Sequence, residues 1–218
     1  MKRILILGAT GRTGKWIVRK ALAHNYDVSV LVRDKKKIDT NIARVTVHEG
    51  IPTDIHALTQ AMNNCVAVIS ALNISRTSDF PWAKLRTPQN LLSESVRNII
   101  SVASHNKVKR VVVISAWGVG NSSRELPGWF RWVIENSNIA VAYRDHERQE
   151  ILLKESLLNW TIVRPVGLFN SMKEKKVKVS LNGKPRPSFL VSRQNVANFI
   201  IEQLEETMYL HTCPVVYQ

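Results

Sequence analysis

Three glycines spaced Gly-x-x-Gly-x-x-Gly, at Gly8, Gly11 and Gly14, follow directly on the apolar run Ile4-Leu5-Ile6-Leu7. Glycines placed this way suit a phosphate-binding turn. The chain must bend sharply, the backbone must come close to a pyrophosphate, and the next helix must pack tightly on the strand. The front of that helix then offers unpaired N–H groups and the positive end of its dipole to the anion. Gly8, Thr10, Gly11, Arg12, Thr13 and Gly14 are therefore the expected phosphate contacts. The spacing departs from Gly-x-Gly-x-x-Gly, so the reading rests on position, between a buried strand and a helix.

A second set of residues bears on which dinucleotide is held. In such folds an acid at the end of the second strand accepts hydrogen bonds from a ribose hydroxyl and repels a 2′-phosphate. Here the strand ends Leu31-Val32-Arg33-Asp34. Arg33 stands where the acid is expected and Arg12 lies in the glycine turn; guanidinium groups grip phosphate through paired hydrogen bonds. The expected cofactor is NADPH, with Arg33 and Arg12 flanking the 2′-phosphate and one of Lys35, Lys36 and Lys37 within reach. The other reading leaves Arg33 solvated and gives the ribose to Asp34. Further along, Tyr143, His146, Glu147 and Glu150 share one helix face. His146 could pair with Glu150, which would raise its pKa and let it donate a proton near neutral pH.

The elements that must position these groups alternate between apolar runs and amphipathic stretches, the pattern of an α/β chain. Strands are expected at residues 4–8, 28–32, 44–48, 66–72, 110–115 and 160–164. Helices are expected at 13–24, between the third and fourth strands from Thr53-Asp54, at 91–106 and at 141–156. The remainder supplies short strands at 177–181, 189–191 and 215–217 and a helix opened by Ser192 and running to about Glu206. The result is a Rossmann-type, doubly wound parallel sheet in a single domain, residues 1–218, with small C-terminal elements on the substrate side. Residues 73–89 and 117–128 read as long loops after the fourth and fifth strands, the second leading into the aromatic segment 129–132. These are carboxyl ends of the sheet, where such folds bind ligands.

Composition narrows the partners. Lys and Arg number 31 against 17 Asp and Glu, a formal charge of +14. The cations are scattered (Lys35–Lys37, the set Lys107, Lys109 and Arg110, residues 173–178) and show no nucleic-acid signature, so the expected role is steering of small anions. Cys65 and Cys213 lie far apart without metal-ligand spacing, and two free thiols fit a reducing cytoplasm. No stretch is long enough to span a bilayer, and no membrane partner is expected. Lys2-Arg3 and the apolar run after them end in the glycine turn and read as structure, not as a leader.

The glycine turn, residues 31–34, Ile114-Ser115-Ala116 and Ile162-Val163-Arg164-Pro165 together resemble the NmrA-like atypical short-chain dehydrogenases/reductases. Asp145-His146, Leu153-Lys154-Glu155-Ser156, residues 179–183 and the ending Val216-Tyr217-Gln218 resemble the biliverdin-IXβ reductase, or flavin reductase, branch of that family. The resemblance implies an NADPH-dependent oxidoreductase that moves hydride onto a flat conjugated acceptor: FMN, riboflavin or a linear tetrapyrrole. It further implies cofactor contacts from Ala71 and Leu72, from Ser115 and Ala116 and from Arg164 and Pro165, with Ser115 and His146 as catalytic candidates. For Ser115 the plainer reading is a strand-end serine bonded to backbone; for Arg164 it is a structural ion pair. Trp117, Trp129 and His146 are the expected acceptor contacts, with Phe130 and Trp132 nearby and Lys84, Arg86 or Arg124 meeting anionic groups of the acceptor.

The chain also departs from that family. The Tyr-x-x-x-Lys pair of standard short-chain dehydrogenases is replaced by Tyr143 and Glu147, which disfavours ordinary ketone chemistry. Val166-Gly167-Leu168 lacks a histidine carried by the flavin reductases, and Gly50-Ile51 replaces the usual Gly-Asp. Two other readings stay open: a non-catalytic NADP(H)-sensing regulator and a reductase of another small metabolite.

Overall fold

The computed structural model describes residues 1–38, 42–106 and 108–218, so Lys107 lies outside the described residues. Its centre is β1 (Arg3–Leu7), whose alternate side chains serve two cores. Ile4 and Ile6 pack under α1 (Gly14–Ala23) together with β2 (Asp27–Val32). Leu5 and Leu7 pack on the other face with Leu58 and Met62 of α2 (Ile55–Met62) and Val96 and Ile99 of α3 (Leu91–His105). An all-apolar strand buried on both faces is what a central parallel strand requires.

Eight strands form the sheet in the order β3-β2-β1-β4-β5-β6-β10-β8. The further members are β3 (Val45–Glu49), β4 (Cys65–Ser70), β5 (Arg110–Ile114), β6 (Asn159–Pro165), β8 (Lys178–Ser180) and β10 (Val215–Tyr217). All pairings are parallel except the antiparallel edge pair of β8 and β10. β1 pairs with both β2 and β4, so the strand order reverses beside it, and ligands bind above such a reversal. α6 (Arg193–Glu202) joins α1 on one face; α5 (Ile139–Lys154) joins α3 on the other. A small parallel pair, β7 (Gly167–Phe169) with β9 (Leu190–Ser192), completes the C-terminal part. The doubly wound single-domain fold is as expected, with most element ends differing by one or two residues and α6 stopping at Glu202, short of the expected Glu206.

The second expected loop is more ordered than its sequence implies. A 3-10 turn covers Gly120–Glu125, and the aromatic segment lies in a helix, α4 (Gly128–Glu135). Arg110 is no surface cation either. It is buried with no carboxylate partner among the described residues, and its guanidinium donates to Gln203 O at 2.6 and 2.9 Å and to Thr161 Oγ1 at 2.7 Å. Gln203 closes α6, so this cation meets the negative end of a helix dipole, while burial lowers its pKa to about 10.

Candidate cofactor cleft

At the turn between β1 and α1 the glycines are required by shape. Gly8 has φ +78°, and a Cβ there would lie 2.6 Å from Ala71 O. At Gly14 a Cβ would lie 2.0 Å from Gly8 O, so only glycine lets the helix sit this close to the strand. Gly11 N donates to Gly8 O at 2.9 Å and tightens the bend. No side chain caps α1 and no acid stands in its first turn; Lys15 N and Trp16 N are taken by Gly11 O and Thr13 O, while the amides of Arg12, Thr13 and Gly14 have no partner among the described residues and are left to a ligand.

Above this turn lies a cleft of about 440 Å³. Gly8, Thr10, Gly11, Arg12 and Thr13 line it, as do Arg33, Gly50 and Ile51, and Ala71 and Leu72 at the end of β4. Arg33 and Asp34 part company here. The Asp34 carboxylate caps the 3-10 turn Lys35–Lys37, accepting from Lys36 N at 3.0 Å, and stays out of the lining. Arg33 remains on the cleft wall.

Residues 73–88 form the far wall and bring groups that no local spacing marks. Asp79 accepts two hydrogen bonds from Arg12, each of 2.8 Å. That pairing holds the Asp79 carboxyl below its usual range, with Arg193 and Arg76 adding to the effect. Arg193, at the start of α6, is fixed by Asn170 Oδ1 at 2.9 Å. The Arg76 Nε is buried without a partner among the described residues. An orphan guanidinium nitrogen beside two further arginines, over an open-amide glycine turn, fits a phosphate-bearing ligand. Arg76, Asp79 and Arg193 were missed from sequence because they meet Arg12 only after the chain folds back.

Ser115 and Ala116 stand at the end of β5 beside Arg164 and Pro165 at the end of β6, with Ser115 N donating to Val163 O and Trp117 N to Pro165 O. None of these four lines the cleft. Ser115 Oγ donates to Glu150 Oε1 at 2.7 Å, so it bonds to a side chain, not to backbone. Arg164 donates through Nε to Glu150 Oε1 at 2.9 Å and through Nη2 to Oε2 at 2.5 Å, while its Nη1 reaches Asn121. The Arg164 side chain is thus committed to a buried ion pair. Burial alone would raise the Glu150 carboxyl; the bonds from Arg164 and Ser115 outweigh it and hold the group below its usual range. Arg164 also lies at the floor of a second cavity, away from the glycine turn, that it shares with Lys154 and Cys213.

The expected pairing of His146 with Glu150 does not form. His146 is only 3% exposed, and Gln149 Nε2 lies 2.7 Å from its Nδ1. Burial outweighs the nearby Glu150 and Asp145 charges and lowers its pKa to about 4, the reverse of the expected rise. Tyr143 donates its hydroxyl to Trp117 O at 3.1 Å, and burial raises its pKa to about 12. Trp117 is buried, donating to Glu125 Oε2 and packing on Phe189 at 5.8 Å. Trp129 stands in solvent on α4. His146, Trp117 and Trp129 are thus not brought to the cleft. Lys84, Arg86 and Arg124 are exposed and also lie outside it. Cys65 and Cys213 are both free, and burial raises both thiols, Cys65 to about 12. Among the described residues no helix is long and apolar enough to cross a membrane.

Known proteins share this architecture. An oxidoreductase from Pestalotiopsis microspora is 26% identical over 186 residues, covering 77% of this chain and 68% of that protein. A short-chain dehydrogenase/reductase from Veillonella parvula, solved in complex with NADP, superposes with a TM-score of 0.81 at 24% identity, covering 100% of this chain and 94% of that one. ChuY, an anaerobilin reductase from Escherichia coli O157:H7, superposes with a TM-score of 0.80 at 20% identity, covering 99% and 97%. At such identities the two structures establish the fold. A family model described as NAD(P)H-binding matches residues 8–207, a span that takes in the glycine turn, the cleft and the Glu150–Arg164 pair, and the chain belongs to that NAD(P)H-binding family.

Proposed function

We propose that this protein is an NADPH-dependent reductase that delivers hydride to a planar, conjugated, anionic acceptor such as a flavin or a linear tetrapyrrole. The cofactor preference is carried by one observation: Arg33 lines the cleft while Asp34 turns its carboxylate into a cap. A 2′-phosphate at that wall meets a guanidinium, and a bare ribose hydroxyl meets no carboxylate. The NADP of the Veillonella parvula structure supports the same reading.

The residues of the cleft divide the work. Gly8, Gly11 and Gly14 shape the turn, the amides of Arg12 and Thr13 face the pyrophosphate, and Arg12, Arg76 and Arg193 balance its charge. Ala71 and Leu72 support the far end. Once bound, the nicotinamide supplies the hydride. Leu72, Ile74 and Leu168 add an apolar surface to the same cleft, suited to a flat ligand.

Proton delivery favours a conjugated acceptor. Tyr143, at about 12, and His146, at about 4, are both buried in internal hydrogen bonds and neutral at pH 7. Neither lines the cleft, so neither stands where it could protonate an alkoxide formed there, and an extended π-system that takes hydride and then a solvent proton needs no such acid. The oxidoreductase and anaerobilin reductase among the similar proteins agree with this class. Two free thiols fit work in a reducing cytoplasm.

Loss of absorbance at the NADPH band during incubation with FMN, riboflavin and biliverdin tests the proposal. Oxidation of NADPH with at least one of them, and slower oxidation of NADH, is expected. Tight NADPH binding without turnover on any of the three would replace the reductase with a cofactor-sensing protein.

A further inference from the structure

Among the large aromatic side chains that stand in solvent, four come from two segments joined through Asn136. Trp129 is 67% exposed, Trp132 59%, Phe80 62% and Trp82 44%. Trp129, Trp132 and Asn136 are spaced three and four apart and follow one face of α4 and its C-cap, while Ile134 turns into the core. The Asn136 carbonyl accepts the Trp82 indole N–H at 2.8 Å, and the Phe80 ring lies 5.3 Å from Trp82. Asn138 fixes the same junction by donating to Trp82 O and Ala83 O. Two segments distant in sequence are thereby joined into one aromatic strip.

Cations flank these rings in sequence. Lys84, Arg86, Arg124 and Arg131 are exposed, and none has a carboxylate partner among the described residues. Of the nearby acids, Asp79 is bound to Arg12 and Glu125 accepts from Trp117, which leaves Glu135. The whole chain carries +14.

We propose that this strip docks the protein on the surface of an anionic lipid bilayer, with the rings at headgroup depth and the arginines and lysine against lipid phosphates. Contiguous exposed rings on a folded domain mark an interaction surface. Tryptophan, with an apolar body and one N–H, favours the bilayer interface, and unpaired cations beside it are drawn to anionic lipid. Self-association through the strip is opposed by the same positive charge on both copies. Asp79 of the cleft wall directly precedes Phe80, so the docked face adjoins the cleft.

Sedimentation of the full chain with vesicles tests the proposal, comparing phosphatidylcholine alone with phosphatidylcholine containing phosphatidylserine. The protein should pellet with the second and not the first, release as salt rises, and shift its tryptophan emission to the blue when bound. Trp129→Ser with Trp132→Ser should weaken partitioning at least about tenfold, with an unchanged thermal midpoint. Arg124→Gln with Arg131→Gln should weaken it at low salt only. Failure to pellet with anionic vesicles, or equal partitioning of the double tryptophan variant and the unaltered chain, would overturn the proposal. So would a dimer in light scattering that the double variant abolishes, which would assign the strip to a second copy of the chain.

Discussion

Arg12 of the glycine turn and Asp79 of the 73–89 segment grip each other through two parallel hydrogen bonds of 2.8 Å, and so the far wall of the cleft is tied to its phosphate-binding side. Both side chains are largely exposed, so the pair adds little to stability. Its effect falls on the ligand instead. Asp79 places a negative charge among Arg12, Arg76 and Arg193 and competes for the guanidinium a phosphate would use. Asp79→Asn is expected to tighten NADPH binding by about threefold to tenfold, and Arg12→Gln to weaken it, with little change in unfolding midpoint. Isothermal titration calorimetry decides; weaker binding by the Asn variant would contradict the competition.

Cofactor choice turns on Arg33. Replacing it with Glu puts a carboxylate where the 2′-phosphate is expected and should cost roughly tenfold to a hundredfold in NADPH affinity. NADH binding should hold or improve. Parallel titrations with both nucleotides check this, and an unchanged NADPH affinity would remove Arg33 from the site.

The turn itself tolerates no side chain at Gly14. A methyl group there would meet Gly8 O at 2.0 Å, so the backbone must move. Gly14→Ala is expected to lower stability by about 1–3 kcal/mol and to abolish measurable nucleotide binding. Urea unfolding and calorimetry on the same preparation separate the two effects.

Glu150 has a structural part to play. It accepts from Arg164, Ser115 and Lys154, and both it and Arg164 are buried. Glu150→Ala leaves Arg164 without its counter-charge and should cost about 3–5 kcal/mol. Ser115→Ala leaves the ion pair intact and should cost no more than about 1.5 kcal/mol. If Ser115 also orients the cofactor, its loss slows turnover at saturating NADPH without matching destabilisation.

His146 predicts an acid-side weakness. Its folded pKa, about 4, lies below the ordinary 6.5 because burial disfavours the cation. Between these values the unfolded chain binds a proton that the folded chain refuses. The stabilisation is therefore complete above about pH 6.5 and is lost as pH falls towards 4, roughly 3 kcal/mol at most. His146→Gln should flatten denaturant stability across that window. An equally steep loss in the variant would assign the effect to other groups.

Fold and site differ in how far they can be read from the chain. Strand β1, the glycine turn and α1 lie in sequence order, and their periodicities are undisturbed, so Gly8 to Thr13 and Arg33 line the cleft, while Gly14 packs behind it against Gly8 O. The helical identity of residues 128–135 was hidden because Pro127 and Gly128 read as loop, although Trp129, Trp132 and Asn136 already carried the helical period. The triad of Arg76, Asp79 and Arg193 joins the glycine turn only through tertiary contact, and no spacing rule links residues so far apart. His146 and Glu150 show the opposite limit. Their spacing permits a pair, but Arg164 arrives from β6 with a permanent charge and a two-pronged geometry, and it takes the carboxylate.

Asp145 of α5, fully buried, accepts from the backbone N–H of Leu92 at 2.7 Å and from Ser93 Oγ at 2.5 Å, and thereby nails the first turn of α3 to its neighbour. The other end of the intervening stretch is held where Ala71 N donates to Leu7 O. Residues 73–90 are thus a hoop pegged at both feet. Arg12 holds the same hoop at Asp79, and Asn136 and Asn138 hold it at Trp82 and Ala83, so the span is braced along its length as well as at its feet.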